Sequence, residues 1–212
     1  MSTSVTLSTG ITVEPLAERA WPEATDILTD AFQHDPWIRS LFPGNTREDS
    51  RPFFRYLLRK SALMNEMLLG LKLDGKWVGV ACVELPNAPK PGFWQWMAFL
   101  YWSLRLPFEI SWSGFMLLNR YMRATTAFRP SERHHYLIFV GVNGRYQGRG
   151  LGRLFLNHIH GLVEENPHSK GIYLDTENPR NVALYDRFGY KEIGEESLGP
   201  FSIFGMYRPR MQ

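Results

Sequence analysis

An α/β fold in a single domain is the class this sequence predicts, and three observations carry it. Tyr136 to Val142 is an apolar run of β-branched and aromatic residues that reads as a strand buried on both faces. A glycine-rich turn follows, then an amphipathic helix with Leu151, Leu154, Phe155, Ile159, Leu162 and Val163 at helical spacing. Finally, 212 residues, 44% of them apolar, are enough for one α/β core that needs no staples.

In chain order, Gly10 to Leu16 alternates apolar and polar residues and predicts a first strand. Residues 19–33 predict a helix with Trp21, Ile27, Leu28, Ala31 and Phe32 on one side and Pro22 in its first turn. His34-Asp35-Pro36-Trp37 interrupts that pattern. A second helix starts at Thr46-Arg47-Glu48-Asp49, with acids near its positive dipole end, and runs through Phe53, Phe54, Leu57, Leu58 and Leu63. Met67 to Asp74 and Lys76 to Leu85 are strand-like runs around Asp74-Gly75, a hairpin signal. The single cysteine, Cys82, falls in the second run and reads as packing. With no disulfide to form within the chain, a reducing compartment is expected.

Residues 86–133 open on a loop rich in proline, continue as the aromatic run Phe93 to Trp102, and reach a second helical stretch after Pro107. The aromatic run is about 12 residues, short of the ~20 that span a bilayer. It is expected to form a helical pair that packs its aromatic side on the sheet, an arrangement compatible with roofing an acceptor pocket. A helix lying on a membrane surface is the alternative reading, because Trp-rich amphipathic segments favour interfaces. After the glycine-rich unit come a short strand, Gly171 to Thr176, and a helix capped by Asn178, opened by Pro179 and stopped by Gly189. Tyr190–Glu196 and Phe201–Met206 are the last strands. Residues 1–16 have no positive flank and no apolar core, so no secretory signal is expected. A net charge of +3, with Lys and Arg scattered, gives no case for nucleic acid.

The glycine-rich turn carries the chemistry. Strand, bare backbone and helix start gather N–H groups and a positive dipole end at one point, which is an anion site with phosphate as its usual guest. A P-loop would need Gly-x-x-x-x-Gly-Lys-Ser/Thr, but Arg153-Leu154 follow the last glycine. A dinucleotide fold needs Gly-x-Gly-x-x-Gly near the start of a first βαβ unit, and here the spacing is Gly-x-Gly-x-Gly, two-thirds of the way along.

Gln147-Gly148-Arg149-Gly150-Leu151-Gly152 directly after a strand resembles the acetyl-CoA pyrophosphate loop of the GCN5-related N-acetyltransferase (GNAT) family. A second segment resembles the same family: Asn178 opens a helix, Tyr185 follows seven residues later, and Gly189-Tyr190 closes it. Asn181 stands where many members carry a small residue. The resemblance covers about three-quarters of the chain and leaves residues 86–130 outside it. It implies one N-acetyltransferase domain over residues 1–212, with a mixed, largely antiparallel sheet, a splayed parallel pair of strands, helices on both faces, and residues 86–133 as a helical insertion.

It further implies that acetyl-CoA is the co-substrate and that pantetheine lies along Phe139, Val140 and Val142, with Gln147 to Gly152 holding the pyrophosphate and Asn178 and Asn181 contributing contacts. Arg149 and Arg153 either add charge there or are solvated. Tyr185 is the candidate general acid; the alternative is a buried aromatic whose hydroxyl is met by backbone. For the general base the order is His134, Glu84, then Glu132, with Glu177 a further candidate and a water chain to solvent an equal substitute. His158 and His160 form no paired ligand pattern, so no metal is expected. The reading is a cytoplasmic monomer or homodimer that acetylates the primary amine of a small molecule, with no nucleic acid partner and none expected at a membrane. A silent acyl-CoA-binding sensor and a protein N-terminal or lysine acetyltransferase are the alternatives.

Overall fold

The structure is a computed structural model that describes residues 5–8, 10–105, 110 and 112–211. Among the described residues eight strands form one sheet: β1 (Val5–Ser8), β2 (Ile11–Pro15), β3 (Met67–Leu73), β4 (Lys76–Glu84), β5 (His135–Val142), β6 (Gly171–Thr176), β7 (Lys191–Ser197) and β8 (Ser202–Pro209). Their order across the sheet is β1-β2-β3-β4-β5-β6-β8-β7. Only β5 and β6 run parallel. β1, which pairs with β2, was not foreseen by the alternation from Gly10.

The turn at Asp74-Gly75 has positive φ at both residues, 50° and 78°, the twist that a two-residue hairpin needs. Asp35 does more than interrupt a helix. Its Oδ1 accepts from the N–H groups of Trp37 and Ile38, and so it caps α2 (Pro36–Leu41) directly after α1 (Trp21–Phe32). The helix expected from residue 46 is two pieces, α3 (Thr46–Asp49) and α4 (Arg51–Leu63). Pro52 has no N–H to return to the turn before it, and that is where the chain bends.

The sheet is covered on both faces. One core gathers Leu28, Phe54, Val80, Cys82 and Phe139 under α1 and α4; the other gathers Ala81, Val83, Leu137 and Ile159 under α7 (Leu151–Glu165). At Gly141 a Cβ would stand 3.0 Å from the Ala31 Cβ, so glycine there lets α1 lie close against β5. Cys82 is fully buried and donates its S–H to Ser61 Oγ at 3.2 Å, as the packing reading expected.

Residues 86–133 hold α5 (Phe93–Arg105) and α6 (Trp112–Phe128). α6 packs on α2, β7 and β8, and Phe128 fills space beside Gly194 and Gly205. α5 packs on α4 instead of the sheet, and it turns its aromatic side outward. The expectation that this side covers the sheet is therefore corrected. The physical reason is that the polar face of α5 finds partners at Tyr56 of α4 and at Asn65 just beyond its end.

Candidate active site

β5 and β6 stay in register for three residue pairs, ending at Leu137 with Leu174. Between Leu137 and Phe139 the pairing of β5 with β4 carries an extra residue, Ile138. A bulge bends its strand, and from Ile138 onward β5 keeps only its β4 neighbour. The Asn143 N–H donates to Val78 O at 2.9 Å, so alternation turns the ladder groups of Val140 and Val142 toward the open side. Phe139 has the parity of Asn143. Its ladder groups face β4 and its ring lies in the core, so it offers the gap nothing, contrary to the expectation for that residue. The Val142 carbonyl is already met by Gln147 Nε2 at 2.9 Å.

The turn after β5 is tied down locally. Gly144 N–H donates to Asp30 Oδ2 at 2.6 Å, and Gln147 N–H donates to Gly144 O at 3.3 Å. Gln147 thus braces the corner with both its side chain and its amide, and the free donors begin one residue later. From Gly148 to Arg153 no backbone N–H has an acceptor among the described residues. Gly148 and Gly150 sit at φ 76° and 78°, the left-handed region that a side chain strains. Gly152 is different: its φ is ordinary, and a Cβ there would meet nothing within 4 Å. Nothing in the protein requires glycine at 152, whereas a phosphate held against the helix start would. These donors fit the pyrophosphate of acetyl-CoA.

On the other side of the gap stands α8 (Pro179–Asp186). Asn178 Oδ1 accepts from Arg180 N–H at 3.1 Å, and Asn181 Nδ2 donates to Thr176 Oγ1 at 3.2 Å. Among the described residues each therefore retains one free end of its amide. Tyr185 lies edge-on to Tyr190 with ring centroids 5.5 Å apart, and its hydroxyl has no hydrogen-bond partner among the described residues. Burial first, and then the charges of Glu177, Asp175 and Asp35, push its pKa above the ordinary phenol value.

Those three carboxyls form a cluster that sequence reasoning largely missed. Asp175 is the penultimate residue of β6, Glu177 follows its last residue, Thr176, and Asp35 comes from the α2 cap. Tyr121 of α6 makes hydrogen bonds with both Asp175 and Glu177, and Tyr136 donates to Asp175 Oδ1 at 2.6 Å. Trp37 stacks on Tyr121 at 4.3 Å. Burial raises Asp35 to about 6, and it raises Glu177 well above its usual range, with Asp35 and Asp175 adding to the Glu177 shift. Asp175 is raised by burial but held back by its two tyrosine bonds and by Arg129. The available signal was a carboxylate closing an apolar strand, Leu174-Asp175-Thr176-Glu177; the contributions of Asp35 and Tyr121 left none.

The favoured base candidates are elsewhere. Glu84, Glu132 and His134 line one open hollow with Tyr136 and Arg129. Glu84 takes a bond from Arg129 at 3.2 Å, and His134 Nδ1 lies 2.6 Å from Glu132 O. His134 precedes β5 at the end where β5 and β6 are paired, and neither it nor Glu84 is among the groups acting on the Tyr185 phenol. His160 bonds Tyr190 OH at 3.0 Å inside the core.

A strand gap flanked by a free-amide loop and a phenol defines an acyl-CoA-handling site. The sequence profile of the acetyltransferase (GNAT) family matches residues 21–190, and the chain belongs to that family: it is an acetyl-CoA-dependent acyltransferase. It is 22% identical over 179 residues to an uncharacterized N-acetyltransferase of Schizosaccharomyces pombe, covering 80% of this chain and 70% of that one. Its fold is similar to a Corynebacterium glutamicum structure titled histone acetyltransferase HPA2 and related acetyltransferase (TM-score 0.69, 23% identity, 96% and 98% of the two chains). It is also similar to the ribosomal-protein-S18-alanine N-acetyltransferase of Escherichia coli (TM-score 0.56, 16% identity, 95% and 96%).

Proposed function

We propose that the chain transfers acetyl from acetyl-CoA directly to the primary amine of a small cationic molecule in the cytoplasm. The observation that supports this acceptor is the buried carboxyl cluster beside Tyr185. Three carboxyls held there with no ion pair to a cation among the described residues weigh against the fold, and an ammonium-bearing ligand would relieve them. In this reading Gly148 to Arg153 hold the pyrophosphate, Val140 and the free amide ends of Asn178 and Asn181 take pantetheine, Tyr185 protonates the leaving thiolate, and Glu177 receives the amine proton. Glu177 thereby replaces His134 and Glu84 as the base. Acetyl-CoA supplies the activated thioester when bound. A panel of small amines, polyamines and peptides, read by thiol release, tests the proposal: turnover should favour small dications or monocations, and turnover confined to peptides would overturn it.

Gly152→Val should abolish the acetyl-CoA-induced rise in melting temperature while leaving the melting temperature of the free protein nearly unchanged, because the substitution meets open space. Undiminished acetyl-CoA binding would remove the loop from the cofactor site. Direct transfer predicts that Cys82→Ala keeps parental turnover, since burial pushes the Cys82 thiol well up and keeps it from nucleophilic attack. An acetyl group trapped on Cys82 would contradict direct transfer.

Asp35 sets a stability prediction. Its pKa rises from 3.8 to about 6 on burial, so the protonated form favours the fold, fully so below 3.8, and this support is lost as pH climbs past about 6. Asparagine keeps the helix cap and removes the charge. Asp35→Asn should therefore stabilise the protein near pH 7.5 by roughly 1–3 kcal/mol, and the gain should shrink toward pH 4. Thermal melts across that range check it; a gain that is equal at both ends would mean the charge is not the cause.

A further inference from the structure

We propose that the outward face of α5 docks the protein on an anionic lipid bilayer surface. Docking is independent of which amine the active site takes.

α5 is amphipathic the wrong way round for a helix of a self-sufficient domain. Its polar residues point inward: Gln95 Nε2 donates to Asn65 Oδ1 at 3.1 Å, and Ser103 Oγ lies 2.9 Å from Tyr56 OH of α4. Trp102 is held on the inner side, with the Arg59 guanidinium 3.9 Å from its ring centroid. Outward stand Phe93, Trp94, Trp96, Leu100, Tyr101 and Leu104, with exposures from 49% at Leu100 to 80% at Trp94. The inward polar contacts fix the helix rotation, so this display follows from the packing. A contiguous stripe of this size marks an interaction surface.

Charge selects the occupant. Between Glu84 and Glu109 the chain has no Asp or Glu, while Lys90 and Arg105 bracket the helix. α4 alongside carries Arg55 and Arg59 and likewise has no acid. Lys90, Arg55 and Arg105 form no ion pair with described residues. Residues 86–133 hold six basic residues against two acidic ones, a net of +4 in a chain whose total is +3, so the remainder is −1. Of these six, Lys90 and Arg105 stand at the two ends of α5, and the other four lie on or after α6.

Tryptophan and tyrosine rings with a cationic rim suit the headgroup level of a bilayer containing anionic lipid. A second copy suits it less well. A two-fold interface sets the same patch against itself, which would gather cations from both sides with no acid among the described residues of α4 and α5 to pair them. No helix among the described residues is long and apolar enough to cross a membrane. A helix of 13 residues spans ~20 Å, and this one would lie in the interface plane. The expectation of no membrane partner is set aside on these grounds.

The test is co-sedimentation of the full chain with vesicles of phosphatidylcholine alone and of phosphatidylcholine with about a third phosphatidylglycerol. Binding is expected on the anionic vesicles only, weakened by added salt. The double substitution Trp94→Ser with Trp96→Ser should lower the bound fraction by roughly tenfold or more, with melting temperature and amine turnover unchanged. Sedimentation velocity on the same two proteins supplies the other arm. Absence of binding to anionic vesicles overturns the proposal, as does binding indifferent to the two tryptophans. A dimer of the parent that the double substitution dissociates would assign the face to a second copy and overturn it equally.

Discussion

Tyr185→Phe is expected to lower kcat by roughly 10²–10⁴-fold, the usual contribution of a positioned general acid, with acetyl-CoA affinity nearly unchanged. The ring keeps its edge-on contact with Tyr190, so the packing of α8 on the second core survives. The hydroxyl makes no hydrogen bond with described residues, so stability should fall by less than the ~1 kcal/mol net worth of such a bond. Burial and the nearby carboxyls hold the phenol pKa above its ordinary value, which keeps the proton in place across the working pH range. Steady-state and single-turnover kinetics check this prediction together. Retention of more than about half the parental kcat, where chemistry limits the rate, would reduce Tyr185 to a packing residue.

Glu177→Gln should cut kcat/KM by roughly 10²–10³-fold and at the same time raise stability at alkaline pH. The two effects have one origin. Burial lifts the Glu177 pKa well above 4.5, with Asp35 and Asp175 adding to the shift. A carboxyl raised in this way supports the fold while protonated, in full below its ordinary value, and withdraws that support as pH rises through the raised one. The ionised form is then a strong base in a site that pays for its presence. Activity of the parent should therefore rise with pH along a limb displaced above the ordinary carboxylate range, and Glu177→Gln should lose that limb while gaining melting temperature. A variant with parental activity and an unchanged pH profile would pass the proton to a water chain.

Much of the frame was legible from the chain alone because its signals are local. Alternation, helical spacing and the Asp74-Gly75 turn marked most elements, and the hairpin turn adopts the positive φ values those residue types allow. Gln147 to Gly152 and Asn178 to Tyr190 marked the side proposed to hold the cofactor, since a glycine-rich loop and a capped helix are built from neighbours in sequence. The carboxyl cluster is assembled from far apart: Asp35 from a helix cap, Tyr121 from α6, Asp175 and Glu177 from the end of β6. Periodicity carries no trace of such meetings, and the base order His134, then Glu84, was drawn without them. Which face of α5 turns outward was also beyond the sequence. An apolar helix with two uncharged polar residues is ambiguous until a neighbour offers them partners, and on packing against α4 Gln95 and Ser103 find theirs at Asn65 and Tyr56, leaving Phe93, Trp94, Trp96 and Tyr101 to solvent.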